Sequence, residues 1–172
     1  MKTTFSASRM QDSHCAHLAA QEQFYPLLFP DVPLTFEDTA NTIKDMEYAV
    51  DCIVAIGLRQ LRAPLRLSVQ ERWRTDLEAM SWGDITVTEW NLASDLPSEL
   101  HKLGAQLFVY GFYDKVAGRI VAAAAVDVPR MVLALSLGKL SYRERRRGDQ
   151  SFLGFGVSDL EAVGAVLLKK GR

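Results

Sequence analysis

The chain has 172 residues, of which 48% are hydrophobic and 24% charged, and its formal net charge is −1. This composition is typical of a soluble globular protein of about one domain. The balanced charge excludes a chain-wide attraction to nucleic acid, so any such binding requires a local basic patch.

The two cysteines, Cys15 and Cys52, are too few for a disulfide framework. They predict reduced thiols, and therefore a cytoplasmic location. The longest apolar run, Ile120 to Val126, is far too short to cross a bilayer, so no membrane association is expected.

A helix is predicted from about Ser13 to Leu28, because apolar residues such as Leu18 and Ala19 recur at helical spacing. Glu22 interrupts this stripe. It is either a half-buried carboxylate at the rim of the stripe or an acid that points into a site.

Two histidines in this helix, His14 and His17, are three residues apart and could share a metal ion. A structural zinc site normally has four protein ligands, and no second pair follows at suitable spacing. A structural or surface role is therefore favoured for both.

Two strands, predicted over Glu47 to Ile56 and Leu65 to Arg74, organise the chain because each alternates between apolar and polar positions. Asp51 lies opposite the apolar row of the first strand, and Gln70 and Arg72 opposite that of the second. If the strands pair with their apolar faces together, these three side chains share one wall, where oxygen ligands and a cation could hold a metal ion against a phosphate.

The later elements follow the same kinds of signal. Thr-, Val- and Trp-rich runs predict strands, proline and capping residues predict helix starts, and a run apolar on both faces predicts an inner strand. The predicted elements are strand 84–91, a helix that starts at 94–97 and runs to about 103, inner strand 105–113, buried strand 118–126, helix 128–137 capped by Asp127, strand 152–157, and a helix opened by the capping box of Ser158 and Glu161 that ends near Gly171.

The order predicts an α/β fold in a single domain over residues 1–172: a mixed β-sheet with flanking helices in αβββαβ order, plus a C-terminal strand–helix extension. Its core covers about residues 13–113 and the extension about 114–172. The first three strands are expected to form a meander, followed by a helical crossover to the fourth.

With Asp51 on the second core element and Gln70-Glu71-Arg72 on the next strand, the chain resembles the PD-(D/E)XK nuclease superfamily, the restriction-endonuclease-like and Holliday-junction-resolvase-like fold. Glu22 matches the first-helix acid of many resolvase-like members. The resemblance implies an endonuclease that hydrolyses DNA phosphodiester bonds with Mg²⁺ or Mn²⁺. The metal ligands it implies are Asp51, Gln70 or Glu71, and Glu22.

Two residues depart from the family pattern. Gln70 replaces the usual carboxylate, although its amide oxygen can still bind a hard cation. Arg72 replaces the usual lysine and stays protonated, so it cannot act as a general base but can neutralise charge on a phosphate. The metal would then have to activate the attacking water.

Glu71 has two alternative placements. Regular alternation buries it between Val69 and Trp73, where a carboxylate needs a cationic partner. Alternatively, a β-bulge turns it onto the polar face and makes it the second metal ligand in place of Gln70.

Arginines supply the local positive charge that the net charge conceals. The polar run from Tyr142 to Arg147 is predicted as a loop that is either an ordinary solvated surface or an arm that follows a phosphate backbone. Alternatively, Arg66, Arg72 and Arg74 form ordinary cross-strand pairs with Glu47 and Asp51. The candidate nucleic-acid contacts are Arg66, Arg74, Arg143, Arg145, Arg146 and Arg147.

Three functions follow from these observations. The first is the metal-dependent DNA nuclease. The second is a catalytically inactive relative of the same fold that binds nucleic acid or a protein partner, an alternative favoured by Gln70 and Arg72. The third is an interaction protein that forms a homodimer through the aromatic strand 105–113 and the final helix.

Overall fold

The computed structural model describes residues 7–39 and 42–171. The helices are α1 (Ala7–Gln23), α2 (Tyr25–Leu28), α3 (Ile43–Tyr48), α4 (Glu99–Lys102), α5 (Val128–Ser136), α6 (Val157–Ala162) and a 3-10 helix (Leu77–Trp82). The strands are β1 (Leu34–Asp38), β2 (Cys52–Ile56), β3 (Leu65–Arg74), β4 (Asp84–Asn91), β5 (Leu96–Pro97), β6 (Leu107–Asp114), β7 (Arg119–Asp127), β8 (Arg143–Arg147), β9 (Gln150–Gly156) and β10 (Val166–Lys170).

Six strands form a mixed sheet in the order β1-β2-β3-β6-β7-β10. The first three make an antiparallel meander, and β6 pairs parallel to β3. A parallel neighbour requires a crossover connection, and residues 75–106 provide it. The α/β class and the mixed sheet with flanking helices are therefore confirmed.

A second sheet of four strands, in the order β5-β4-β9-β8, packs on one face of the first. The core between them contains Phe108, Tyr110 and Phe112 from β6 and Ile85 and Phe155 from the second sheet. The opposite face of the six-stranded sheet packs against α1 and α2, in a second cluster of buried residues. Since side chains alternate along β3, its neighbouring residues contribute to opposite layers.

Several predicted elements are confirmed. Strands β3 and β4 have the predicted bounds. Asp127 caps α5, where its carboxylate accepts a hydrogen bond from the backbone nitrogen of Arg130 at 2.9 Å. Strand β6 is buried along nearly its whole length, as expected of an inner strand.

The strand predicted from Glu47 is wrong in its first half. Residues 43–48 form α3, which ends at Ala49 in the left-handed region (φ 47°), and β2 begins only at Cys52. The alternation of Glu47 and Tyr48 is not a sign of burial, because both side chains are exposed. The third strand of the meander is also wrong: β1 completes it, whereas β4 belongs to the second sheet.

Three later elements differ from the prediction. Residues 143–147 form edge strand β8 rather than a loop, and their charges suit an edge that must not pair with another chain. The helix predicted over 94–103 is reduced to β5 and the short helix α4. The last helix stops at Ala162, since Gly164 takes φ +70° and the chain then returns to the sheet as β10.

The aromatic strand of the predicted oligomer interface is buried. Phe108, Tyr110 and Phe112 of β6 are at most 8% exposed, so they lie inside the protein and are not available to a partner. Within the described ranges, no helix is long and apolar enough to cross a membrane.

Candidate metal and nucleic-acid site

Strand β3 keeps a regular register through Glu71. It pairs with β6 from Val69 to Arg74 without a shift, so the bulged alternative is wrong. Glu71 faces α1, and its side chain is only 4% exposed. Gln70 and Arg72 therefore lie on the other face, against the second sheet.

The Glu71 carboxylate is surrounded by donors. Oε1 accepts a hydrogen bond from the Tyr25 hydroxyl at 2.5 Å and has the Cys52 thiol 3.9 Å away. Oε2 lies 2.9 Å from His17 Nδ1 and 2.7 Å from Trp73 Nε1. These contacts supply the partner that a buried carboxylate requires, as the regular register predicted.

This environment shifts the pKa values of the surrounding groups. Burial lowers the pKa of His17, but its hydrogen bond to Glu71 and the charge of that carboxylate outweigh burial, so the net shift is upward. Burial, together with the negative charge of Glu71, raises the pKa of Tyr25 and of Cys52 well above their usual values. Tyr25 and Cys52 are therefore neutral donors around one carboxylate at neutral pH.

Trp73 reaches Glu71 because β6 has a glycine beside it. Gly111 is the cross-strand neighbour of Trp73, and a Cβ at that position would lie 2.2 Å from Trp73 Cζ3. No real Cβ contact is that short, so a side chain at residue 111 would displace the indole. The indole N–H would then lose its place against the carboxylate.

Asp51 lies just before β2 and forms hydrogen bonds with the backbone of β3 on either side of Gln70. Its backbone nitrogen donates to the Val69 carbonyl oxygen at 2.9 Å, and its Oδ2 accepts from the backbone nitrogen of Glu71 at 2.6 Å. Among the described residues, no donor contacts Asp51 Oδ1. Oδ2 thus extends the hydrogen bonding between β2 and β3 by one residue, whereas Oδ1 accepts no hydrogen bond from the described residues.

The pKa of Asp51 is raised to about 7. Burial is the main cause, and the negative charges of Glu71, Asp45 and Glu99 add to it, against the lowering effect of the Glu71 backbone N–H. The group therefore lies among acids that disfavour its ionised form.

Glu99, at the start of α4, joins Gln70 to Arg72. Its Oε1 lies 3.2 Å from Gln70 Nε2, and its Oε2 lies 2.8 Å from Arg72 Nη1 and 3.1 Å from the backbone nitrogen of Thr88. The amide oxygen of Gln70 is buried and accepts no hydrogen bond from the described part of the chain. The predicted pair Gln70 and Arg72 is thus brought together, through an acid that the sequence analysis missed.

Arg72 also connects the site to the basic edge of the second sheet. Its Nη2 donates to Thr88 Oγ1 at 2.9 Å, and its guanidinium lies 5.7 Å from the ring centroid of Phe152. Thr88 is the cross-strand neighbour of Phe152, which in turn neighbours Arg145 on β8. This row of side chains runs from the site to the arginine-rich edge.

The candidate nucleic-acid arginines separate into paired and open groups. Arg66 forms an ion pair with Glu37 near β1, Arg145 pairs with Asp84 at 2.6 Å, and Arg74 Nη1 lies 3.4 Å from the Tyr110 hydroxyl. The remaining three are exposed on β8: Arg143, Arg146 and Arg147.

Glu22, predicted as a metal ligand, does not lie with Asp51 and Gln70. Its side chain is exposed on α1, and no contact in the described ranges links it to Asp51 or Gln70. His17, one and a half turns earlier, is the α1 residue that reaches β3. The sequence contained no local signal for the roles of His17 or Glu99, because each meets β3 only through the fold.

The side-chain oxygens of Asp51 and Gln70 are of the kind that binds a hard divalent cation. Mg²⁺ and Mn²⁺ prefer carboxylate and amide oxygens, and both Asp51 Oδ1 and Gln70 Oε1 lack a described donor. Glu71 does not fit the same position, because its side chain points to the other face of β3.

No protein-family model and no curated protein matches the sequence. Among solved structures, the chain is similar to one described as the structure of D212, a nuclease from a fusselovirus. The identity is 9%, the TM-score is 0.41, and the match covers 92% of each chain. A likeness at this level assigns neither a fold family nor an activity.

Proposed function

We propose that the protein is a metal-dependent nuclease of the PD-(D/E)XK type that hydrolyses DNA phosphodiester bonds. Asp51 and Gln70 hold the cation, and Arg72 is the cationic residue beside it. The observation that carries this proposal is a pair of unused acceptors beside the middle of β3. Among the described residues, no donor contacts Asp51 Oδ1, and Gln70 Oε1 is buried without a partner.

A buried acceptor without a partner is costly in a folded protein, so it favours the binding of a group that supplies a positive charge. Because Gln70 Nε2 donates to Glu99, the amide oxygen Oε1 is the atom without a partner. Asp51, Glu71, Asp45 and Glu99 concentrate negative charge at this point, as the raised pKa of Asp51 reflects. A divalent cation would offset that repulsion.

In such a site, a bound Mg²⁺ or Mn²⁺ ion activates water and stabilises charge on the phosphate. Arg72 supplies a guanidinium cation that neutralises charge on the phosphate without transferring a proton. Its bonds to Glu99, the Thr86 carbonyl and Thr88 hold the guanidinium in place. Asp51 orients its free oxygen through the bond of its other oxygen to the Glu71 backbone.

DNA would reach the site along the edge of the second sheet. Arg143, Arg146 and Arg147 are exposed on β8, and the row from Arg145 through Phe152 leads from that strand to Arg72. Clustered arginines bind phosphates with release of counterions, which supports binding without a basic net charge.

A second candidate is an inactive relative that binds nucleic acid or a protein partner. The observation in its favour is that Arg72 is occupied by four groups of the chain itself, three as hydrogen-bond acceptors and Phe152 as a stacking surface. An arginine used in this way can serve the junction of the two sheets rather than catalysis.

The deciding experiment incubates the purified protein with supercoiled, linear, single-stranded and branched DNA in Mg²⁺ or Mn²⁺. Asp51→Asn is the variant to compare, since an amide oxygen retains the bond to the Glu71 N–H but loses the charge. Asp76→Asn, at an exposed aspartate, is the matched control. We expect cleavage by the wild type and the control and none by Asp51→Asn.

Gln70→Glu separates the two candidates further. It restores the carboxylate usual in the family, so an active enzyme should keep or gain activity and bind the metal more tightly. If the wild type cleaves none of these DNA forms with Mg²⁺ or Mn²⁺, the nuclease proposal is wrong. Salt-sensitive DNA binding by both proteins would then favour the inactive relative.

A further inference from the structure

We propose that His17, Cys52 and Glu71 form a zinc-class transition-metal site that joins α1 to β2 and β3. His17 Nδ1, Cys52 Sγ and the Glu71 carboxylate all lie within 4.8 Å of one another. The three residues come from three different elements, so the site exists only in the folded chain. It lies on the opposite face of β3 from Gln70.

The ligand types distinguish this site from the proposed Mg²⁺ site. Imidazole and thiolate favour zinc and its neighbours in the transition series, whereas Mg²⁺ takes oxygen ligands and keeps several waters. Glu71 is 4% and His17 15% exposed, which leaves little room for the waters of a Mg²⁺ ion. Carboxylate oxygen, imidazole nitrogen and thiolate sulfur are the three donor types that zinc takes from proteins.

The spacing requires only small movements. A tetrahedral zinc ion with usual bond lengths places a nitrogen and an oxygen ligand about 3.3 Å apart, and a sulfur and an oxygen ligand about 3.5 Å apart. The corresponding distances are 2.9 Å between His17 Nδ1 and Glu71 Oε2, and 3.9 Å between Cys52 Sγ and Glu71 Oε1. These distances end on different oxygens of the carboxylate, and the third pair, His17 and Cys52, has its ligand atoms within 4.8 Å of each other against about 3.6 Å in a tetrahedral site. A bound metal would therefore draw the side chains together by up to about 1 Å.

A metal-binding histidine usually donates its second N–H to an oxygen, which fixes the ring and frees the other nitrogen for the metal. Gln21, one turn further along α1, has its side-chain amide 2.7 Å from His17 Nε2. With the amide oxygen turned toward the ring, Gln21 accepts that proton. Trp73 Nε1 supports the Glu71 ligand in the same way, at 2.7 Å.

Tyr25 closes the fourth side of the site. Its hydroxyl lies 2.5 Å from Glu71 Oε1 and 4.0 Å from Cys52 Sγ, and its side chain is fully buried. Three protein ligands are one fewer than a structural zinc site has, and Tyr25 fills the side from which a fourth ligand would approach. On binding, the Cys52 thiol releases its proton to solvent, and His17 binds as the neutral imidazole with its one remaining proton on Nε2.

This inference does not depend on the proposed nuclease. Asp51 contacts the backbone of Glu71, but none of the three ligands here belongs to the Asp51 and Gln70 pair. Metal at this site would tie the helical layer to the sheet on which the other site is built. Loss of nuclease activity and loss of zinc-class binding are thus measured separately.

The test is a titration of the chelator-treated full chain with Co²⁺, a spectroscopic substitute for zinc. We expect one equivalent to bind with tetrahedral d–d bands and an intense near-ultraviolet thiolate-to-cobalt band, and Zn²⁺ to displace it. Zn²⁺ at a hundredfold excess over its Kd should raise the Tm by roughly 5–10 °C.

Cys52→Ser should lose the thiolate band, and Cys15→Ser, at the other free cysteine, should keep it. His17→Gln should weaken Co²⁺ binding at least tenfold, whereas His14→Gln should leave it unchanged. The wild-type spectrum alone decides if Cys52→Ser fails to fold. Cobalt bound without a thiolate band, or a band that survives Cys52→Ser, overturns the proposal.

Discussion

Asp51 Oδ2 accepts a hydrogen bond from the backbone nitrogen of Glu71 at 2.6 Å. The carboxylate thereby replaces a backbone carbonyl that β2, which starts one residue later, does not offer to β3. The same bond holds the partly buried Asp51 carboxylate against the backbone of β3, between Gln70, which faces the second sheet, and Glu71, which faces α1. The protein must therefore accommodate Asp51 both as a backbone cap and as a charge.

The first prediction concerns the pH dependence of stability. The pKa of Asp51 is about 7 in the folded chain against 3.8 as the reference, so the folded state holds the proton more tightly than the unfolded state. Its contribution to stability is therefore full below pH 3.8 and lost as the pH rises to about 7. The loss corresponds to at most about 4 kcal/mol.

Asp51→Asn should remove this dependence, because the amide does not titrate. We expect urea unfolding at pH 4.5, 6 and 7.5, in the presence of a chelator, to show a flatter profile for Asp51→Asn than for the wild type. Parallel profiles for the two proteins would contradict the assignment of the raised pKa to Asp51.

The second prediction concerns the donors around Glu71. In Glu71→Gln, one acceptor oxygen becomes an NH₂ group that faces the Tyr25, Trp73 or His17 donors. Leaving buried donors without acceptors should lower the free energy of unfolding by roughly 2–4 kcal/mol. Chemical denaturation of the metal-free protein measures this value.

Glu22→Gln is the control for that change, since Glu22 is an exposed glutamate on α1. A surface change of this kind should stay within about 0.5 kcal/mol of the wild type. Equal effects of the two substitutions would show that the Glu71 contacts contribute little to stability.

The third prediction distinguishes the charge of Arg72 from its geometry. Arg72→Lys retains the charge but cannot reach Glu99, the Thr86 carbonyl and Thr88 at once. We expect a loss of roughly 1–3 kcal/mol in the free energy of unfolding, because Glu99 and Thr88 lose partners at a part-buried position. Arg119→Lys, at an exposed arginine that starts β7, should be nearly neutral.

The fourth prediction concerns DNA binding by β8. Replacing the exposed Arg143, Arg146 and Arg147 together by glutamine should weaken DNA binding and reduce the salt slope of log K by about 3. Arg145 is left in place because it pairs with Asp84 and its loss would disturb the sheet. Fluorescence anisotropy at several salt concentrations measures both quantities.

A charge-matched control replaces Arg59, Arg62 and Lys115, which are exposed and lie outside β8. That triple variant should bind DNA as the wild type does. If both triple variants lose affinity equally, the attraction is general and β8 has no special part in it.

The sequence by itself determined the elements with strong local signals. The alternation along β3 gave its bounds and put Gln70 and Arg72 opposite Val69, and it implied that a regular Glu71 needs a partner. The cap at Asp127 began α5 as predicted. These features depend on side-chain period and on neighbours within one turn, which a single stretch of sequence contains.

Only the tertiary structure decided which distant residues contact the side chains of β3. His17 is 54 residues from its partner Glu71, and Glu99 is 29 residues from Gln70 and 27 from Arg72. No period or motif in the sequence predicts such pairs. Similarly, Glu47 and Tyr48 alternate like a strand but form an exposed helix, and the arginines of β8 form a strand only because β9 pairs with them. Pairing and burial are properties of the packed chain, since the same local pattern satisfies more than one environment.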